Sequence, residues 1–187
     1  MTVGIRIALK PHVGLRDVQT FSVDQNMNIT TATREDETPV RFGWETLDGT
    51  TSLDYLEDNI TGVHYITIKG QRIAEFKESI RGNLATWSFQ EAAQLISENN
   101  QRDTIIQGIH VSAITAARKD VPALSAAFQR MARQPDREVR RAVLIGIGYA
   151  TTSAELREIA QEMKNSDPDE DIRLDAEHLL AGLNSAE

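Results

Sequence analysis

The chain has no cysteine among its 187 residues, and this absence excludes three kinds of chemistry at once. Without thiols it can form no disulfide framework, no thiolate zinc site and no cysteine nucleophile. The absence also fits a reducing compartment. Aromatic residues make up only 5 % of the chain, which argues mildly against an apolar pocket built around a flat cofactor.

Long apolar runs are absent as well. No stretch approaches the length of about 18 apolar residues that indicates a transmembrane helix. The opening residues MTVGIRIALKPH contain no long apolar core after a basic start, so they do not match a signal peptide. We therefore expect a cytoplasmic protein with no membrane partner.

The chain has fewer basic than acidic residues. The formal net charge is −8 at pH 7. An acidic protein is repelled by a phosphate backbone, so general binding of nucleic acid is not expected. The same charge would attract a basic protein and speed its capture.

A repeating pattern is present in the second half of the chain. Segments that begin at Ile106, Val139 and Ile172 each carry small or apolar residues seven and eight places later, so the pattern recurs every 33 residues. Between them, the apolar residues of 124–131 recur 32 residues later in 156–163. A period of this size is typical of stacked helical repeats. We predict six helices in three antiparallel pairs, with a binding surface along the stack.

Two of these segments resemble the second helix of a HEAT-type repeat. They are Asp136-Arg137-Glu138-Val139-Arg140-Arg141-Ala142 and Pro168-Asp169-Glu170-Asp171-Ile172-Arg173. The resemblance covers residues 88–184 and is weaker in the first repeat, where Gln107 replaces the arginine. It implies an α-solenoid that binds proteins, and a ladder in which Arg140 pairs with an acidic turn residue of the neighbouring repeat.

The first part of the chain has a different pattern, which predicts a separate domain over residues 1–85, with the repeats occupying residues 86–187. Apolar residues alternate over 3–9, as in a strand with one buried face. For residues 72–78 we favour a strand that returns as a hairpin, the alternative being a helix with Ile73, Phe76 and Ile80 on one face that ends at Gly82. The fold class is therefore α+β, a mostly antiparallel sheet followed by a short HEAT-like α-solenoid. The remaining predictions are strands over 18–23, 27–33, 40–47 and 63–69, a charged loop over 33–39, and a short helix from Thr51 to about Gly62.

Helix starts and ends are marked by capping residues. The predicted starts are the capping box Ser88-x-x-Glu91, Asp103, Asp120 before Val121-Pro122, Pro135-Asp136, and the capping box Thr152-x-x-Glu155. The last helix is predicted to end at Gly182.

Catalytic motifs are missing. No P-loop, dinucleotide fingerprint or nucleophile elbow occurs, so the sequence favours a non-enzymatic role without excluding an enzyme. Asp167-x-Asp169-x-Asp171 resembles the start of a calcium loop, but Ile172 and His178 stand where glycine and a bidentate glutamate are needed. A helix-capping acidic turn explains it better. His12, His64, His110 and His178 have no metal-ligand spacing, and we predict no metal, cofactor or catalytic residue.

The leading hypothesis is a protein-interaction module that binds a basic partner, for example an inhibitor or immunity protein that blocks a basic toxin or nuclease. The acidic stretch of residues 167–177, opposed locally only by Arg173, would provide the electrostatic attraction. The predicted partner-binding residues are His110, Arg141, Ile145, Asp169, Glu170, Asp171, Asp175, Glu177 and His178.

Two alternatives stay open. The first is an accessory or lyase-type HEAT protein that handles a small cofactor or chromophore in an apolar groove. The second is a nucleic-acid binder that uses the arginine cluster Arg130, Arg133, Arg137, Arg140 and Arg141. Because Asp136 and Glu138 lie within that cluster, we favour the ladder and a solvated surface over a grip on phosphate.

Overall fold

The computed structural model describes residues 4–33, 38–97, 101–150 and 153–185. The chain divides into two compact units, Met1–Trp87 and Ser88–Glu187. The first contains a five-stranded antiparallel sheet and the second is helical. The predicted α+β class, with the sheet in the N-terminal part and helices after it, is therefore confirmed.

The elements of the first unit in chain order are β1 (Ile5–Ala8), α1 (Leu15–Asp24), β2 (Met27–Ala32), β3 (Val40–Thr46), β4 (Thr51–Glu57), β5 (His64–Gly70) and α2 (Ile73–Asn83). Its strands form one sheet with the order β1-β5-β4-β3-β2, in which all neighbours are antiparallel. The two helices contribute to its core, and α1 contacts β2 while α2 contacts β5.

One face of the sheet forms the core of this unit. The register aligns Trp44, Leu53 and Ile68 across β3, β4 and β5, and all three are buried. The opposite face is polar. There the carboxylate of Asp54 lies 3.2 Å from both Arg41 Nη2 and Lys69 Nζ. This alternation of buried and polar positions is what an antiparallel sheet with one covered face requires.

Three predictions in this unit were wrong. Residues 18–23 belong to helix α1, where Val18 and Phe21 are buried and Val23 is exposed. This spacing follows a helical period, and a strand would have alternated. Residues from Thr51 form strand β4 and not a helix, because Thr51, Leu53 and Tyr55 alternate into the core.

The third error concerns the segment after β5. Residues 73–83 form helix α2, which buries Phe76 and Ile80 and continues through Gly82. The alternative, a helix, is confirmed, and it ends at Asn83, one residue beyond the predicted end at Gly82. A hairpin partner could not pair with β5, because β1 and β4 already occupy both sides of that strand.

The second unit has six described α-helices, the number predicted. They are α3 (Phe89–Leu95), α4 (Arg102–Thr115), α5 (Val121–Met131), α6 (Arg137–Tyr149), α7 (Ala154–Ser166) and α8 (Glu170–Ser185). The two helices of each pair contact each other, and the second helices also contact one another, α4 with α6 and α6 with α8. Val139 and Ile172 lie in one shared core, against which Ile106 packs.

The predicted helix boundaries hold in part. Ser88 and Asp136 cap α3 and α6 with their side chains. Helix α4 starts at Arg102, so Asp103 lies within its first turn and does not cap it. Thr152 lies outside the described residues, as do residues 34–37 of the charged loop, and Ser153 caps α7. Helix α8 continues beyond Gly182 to Ser185, because a glycine within a helix weakens it without ending it.

Two glycines on α6 form a matched pair for a stability test. A Cβ at Gly146 would lie 2.9 Å from Phe128 Cζ and 3.2 Å from Ile109 Cγ2, whereas at Gly148 the nearest atom would be Leu179 Cδ1 at 3.4 Å. We expect Gly146→Ala to lower the free energy of unfolding by about 1–3 kcal/mol, because the buried ring must move. Gly148→Ala should raise it by about 0.5–1 kcal/mol. Urea denaturation measures both, and effects of the same sign would contradict the packing argument.

Candidate partner-binding surface

A buried ion pair joins the last two helix pairs. Arg140 donates from Nε to Asp167 Oδ2 at 2.8 Å and from Nη2 to Oδ1 at 3.0 Å. Its Nη1 donates to the carbonyl oxygens of Gln134 and Pro135. The side chains of Arg140 and Asp167 are only 7 % and 2 % exposed, and the hydrogen bonds to Asp167 raise the pKa of the guanidinium. The predicted pairing of Arg140 with an acidic turn residue is confirmed.

The turn before α8 repeats the turn before α6. Asp136 accepts a hydrogen bond from the N–H two residues later at 2.8 Å, and Asp169 does the same at 2.9 Å. Four residues after each cap, Arg140 and Arg173 donate to the main-chain carbonyl six residues before them. The 33-residue period in the sequence therefore corresponds to repeated hydrogen bonds in the structure.

The arginine cluster faces the acidic patch, which is the acidic stretch of residues 167–177. The two meet where the α5–α6 pair contacts the α7–α8 pair, a boundary called the seam below. In the sequence they look like separate surfaces, but the α5–α6 pair supplies the guanidinium groups and the α7–α8 pair supplies the carboxylates. Besides Arg140, the ion pairs across this seam are Arg133–Glu162 at 3.0 Å, Arg137–Asp169 at 3.2 Å, Arg137–Asp171 at 2.7 Å and Arg141–Asp175 at 2.9 Å.

These pairs reduce the charge of the predicted acidic patch. Glu177 is also engaged, since its carboxylate lies 2.9 Å from Lys164 Nζ, and this hydrogen bond lowers the pKa of Glu177. Glu170 differs, because it is exposed and forms no ion pair with another residue in the described part of the chain. The patch therefore presents a row of ion pairs, in which Glu170 alone has no ion-pair partner among the described residues.

The other predicted binding residues divide by exposure. Arg141 and Ile145 lie partly exposed on α6, and His178 is exposed on α8. The structure brings Arg141 to Asp175 across the two helices. His110 is only 5 % exposed within α4, so its imidazole is not part of an open surface.

The sequence prediction missed Leu174. It lies on α8 and is 49 % exposed, which makes it a large apolar side chain open to solvent. It lies one helical turn from Asp171 and one from His178 along the same helix. The core positions Ile172 and Ala176 leave residue 174 on the opposite side of the helix, and this signal was available in the sequence.

A small groove opens along the seam. Its volume is about 280 Å³, just below the range of about 300–1,000 Å³ typical of small-molecule sites. Arg140 and Asp167 form part of the groove wall. Their guanidinium and carboxylate groups are hydrogen-bonded to each other. The other lining residues are Gln129, Ala132, Arg133, Gln134, Pro135, Ile159, Glu162, Met163, Ser166 and Pro168.

A polar cluster lies at one end of the sheet in the first unit. The Tyr55 hydroxyl donates to Glu57 Oε1 at 2.8 Å and lies 3.3 Å from His64 Nδ1. Because the hydroxyl has one proton and gives it to the carboxylate, His64 must be the donor in the second contact. Burial is the largest cause that raises the pKa of Tyr55, and the hydrogen bond to Glu57 is the second. The hydroxyl of Tyr55 therefore stays protonated.

The described residues contain neither a grouped metal site nor a helix that could cross a membrane. Within residues 4–33, 38–97, 101–150 and 153–185, no three or more His, Asp or Glu side chains are grouped so that they could hold a metal ion. The carboxylates of Asp167, Asp169 and Asp171, whose spacing resembles a calcium loop, each contact an arginine. None of the described helices combines the length and apolarity needed to cross a bilayer.

Comparisons with protein-family models, with curated proteins and with solved structures found no match to this chain.

Proposed function

We propose that the second unit is a HEAT-like α-hairpin repeat that binds a protein partner on the outer surface of α6 and α8, without catalysis. The observation that supports this proposal most directly is the repeated architecture of α6 and α8, which leaves Leu174 exposed on α8, next in the chain to Asp175 of the Arg141–Asp175 ion pair. An exposed leucine surrounded by polar side chains has the composition of an interface centre and its rim. The predicted contacts Ile145 and His178 lie on the same two helices.

Charge favours a basic partner. Residues 88–187 contain 11 basic and 16 acidic side chains. Since four of the five clustered arginines are matched to carboxylates across the seam, the excess acidity lies at exposed positions such as Glu155, Glu158 and Glu170. Exposed ion pairs add little affinity, so this excess would mainly speed association. A cytoplasmic inhibitor or immunity-type role against a basic toxin or nuclease is one form of the proposal.

The pairing across the seam argues against the nucleic-acid alternative. Four of the five clustered arginines have a carboxylate oxygen within 3.2 Å. A phosphate would have to compete with these carboxylates, and the net negative charge would oppose its approach.

An exposed arginine placed either on α8, within the proposed surface, or on α5, outside it, tests the proposal. Partners captured by the wild-type protein are identified, purified and titrated against Leu174→Arg and Ala126→Arg. Both positions are exposed on helices, and both changes add one positive charge. We expect Leu174→Arg to weaken binding about tenfold or more, as at an interface hot spot, and Ala126→Arg to change it less than about twofold.

Ionic strength provides a second measurement on the same complex. Raising the salt from about 50 to 300 mM should slow association severalfold, because it screens the attraction between the two proteins. A partner that binds Leu174→Arg as tightly as the wild type, or whose association is insensitive to salt, would contradict the proposal.

A further inference from the structure

The two edges of the sheet in the first unit are closed differently. At the end of β1, the chain covers its own edge: Lys10 N donates to Ala85 O and Trp87 N donates to Ala8 O, each at 2.9 Å. The other edge strand, β2, pairs only with β3 among the described residues. The end of the β1 edge is therefore occupied, whereas the β2 edge has no further strand among the described residues.

The backbone of β2 offers hydrogen-bonding groups to an additional strand. Thr33 N donates to Arg41 O at 2.9 Å, so Thr33 faces β3. The alternation of an antiparallel ladder, together with the register shift between Ile29 and Thr31, turns the N–H and C=O of Ile29 and Ala32 away from β3. Such groups form a template for another strand.

The β2 edge lacks most of the usual protection. Edge strands commonly carry lysine, other charges or proline, or are interrupted by bulges. The β2 sequence MNITTA contains no charged residue and no proline, and five of its six residues are exposed. Of the protective devices it has only the bulge at Thr30.

The exposed side of β2 is amphipathic. Ile29 and Ala32 pair with Trp44 and Phe42 and so lie on the core side of the sheet, yet Ile29 is 58 % exposed. Two further exposed apolar residues lie near the start of β2. They are Val23, at the end of α1, and Leu47, directly after the partner of Met27. A strand that pairs here should be apolar on the core side and polar on the other.

We propose that the occupant of this edge is a second copy of the chain, with the two β2 strands antiparallel about a twofold axis perpendicular to the sheet. The strand itself has the pattern that its edge requires, with Ile29 and Ala32 on one side and Asn28 and Thr31 on the other. An axis of this kind keeps both core faces on the same side, so the two copies of Ile29 extend one apolar strip. The arrangement is isologous, as in most homodimers.

The absence of charged residues on β2 favours this edge as the place where two copies meet. Each chain has a net charge of −8, which repels a second copy over most of its surface. Because β2 is uncharged, pairing it with its own copy creates no like-charge contact in the joint. A strand pair of about 20 Å is small, so the dimer should be weak, with a dissociation constant in the micromolar range.

Sedimentation velocity over about 5–500 µM tests this arrangement. The wild-type mass should rise from 20.8 kDa toward twice that value. Ile29→Lys should keep the chain monomeric, because it places two positive charges close to the axis. Ile60→Lys is the matched control, since Ile60 is 63 % exposed in the β4–β5 loop, and it should dimerise like the wild type. A wild-type mass that stays at 20.8 kDa overturns the proposal, even if the edge accepts a segment of another protein.

The absence of cysteine allows a cross-linking test. Ile29→Cys and Ile60→Cys each introduce the single thiol of the chain. Under mild oxidation, Ile29→Cys should form an intermolecular disulfide at least about tenfold faster, because an axis beside Ile29 brings the two Cα atoms near the separation of about 5.5 Å that a disulfide needs. Equal rates would count against the β2 joint. These variants lie in the first unit and Leu174 in the second, so the dimer and the proposed partner binding can fail independently.

Discussion

Replacing Asp167 with alanine is expected to lower the free energy of unfolding by about 3–5 kcal/mol. The substitution leaves the guanidinium of Arg140 buried without its carboxylate, and an uncompensated buried charge is strongly unfavourable. Urea denaturation followed by circular dichroism at 222 nm measures the effect, since six of the eight described α-helices lie in the second unit. Both tryptophans, Trp44 and Trp87, precede that unit, so their fluorescence reports on the sheet separately.

Two controls separate burial from charge. The double variant Arg140→Met with Asp167→Leu should recover most of the lost stability, because it removes both charges together. Asp175→Ala breaks a more exposed pair, in which the side chains of Asp175 and Arg141 are 34 % and 42 % exposed. It should lower the free energy of unfolding by less than about 1 kcal/mol. If Asp167→Ala costs no more than Asp175→Ala, the buried pair does not hold the last two helix pairs together.

Replacing Gly70 with alanine is the second change with a large expected effect. Gly70 has a φ of +116°, and a Cβ there would lie 2.1 Å from Thr50 O and 2.7 Å from Thr51 Cα. These are backbone atoms, which cannot rotate away as a side chain can. The strained φ costs about 1–3 kcal/mol and the overlap about 1–3 kcal/mol more. We expect a total loss of about 3 kcal/mol or more, measured by tryptophan fluorescence during urea denaturation.

Gly62 provides the control for that experiment. Its φ is +67°, but a Cβ there would meet no atom within 4 Å. Gly62→Ala therefore carries only the backbone cost, about 1–2 kcal/mol. If both variants lose the same stability, the close approach of Thr50 to Gly70 contributes nothing, and the explanation for glycine at the end of β5 is wrong.

Helices could be predicted better than strands, and the reason is the range of the interactions involved. In α5 and α7, the recurring apolar residues of 124–131 and 156–163 show the buried face directly, since residues three and four apart share one side of a helix. Residues 18–23 and 51–57 were assigned wrongly because short apolar segments suit a helix or a strand equally well. Their state depends on whether a neighbouring strand is available for pairing.

The candidate surface shows the same division. Arg140 was expected to pair with an acidic turn residue because the resemblance implied it, and Asp167 is that residue. The contacts Arg137–Asp171 and Arg141–Asp175 join residues 34 apart, so they arise only when α6 packs on α8. The burial of His110 and the exposure of Leu174 likewise depend on which helix faces are covered.

By itself, the sequence determined the absence of thiol chemistry, the spacing of the repeated helices and several of their caps. These features depend on residue type or on neighbours within one helical turn. Only the tertiary structure decided which carboxylate neutralises which arginine and which edge of the sheet lacks a further strand among the described residues. Both depend on contacts between residues far apart in the chain, and those contacts exist only after the elements have packed.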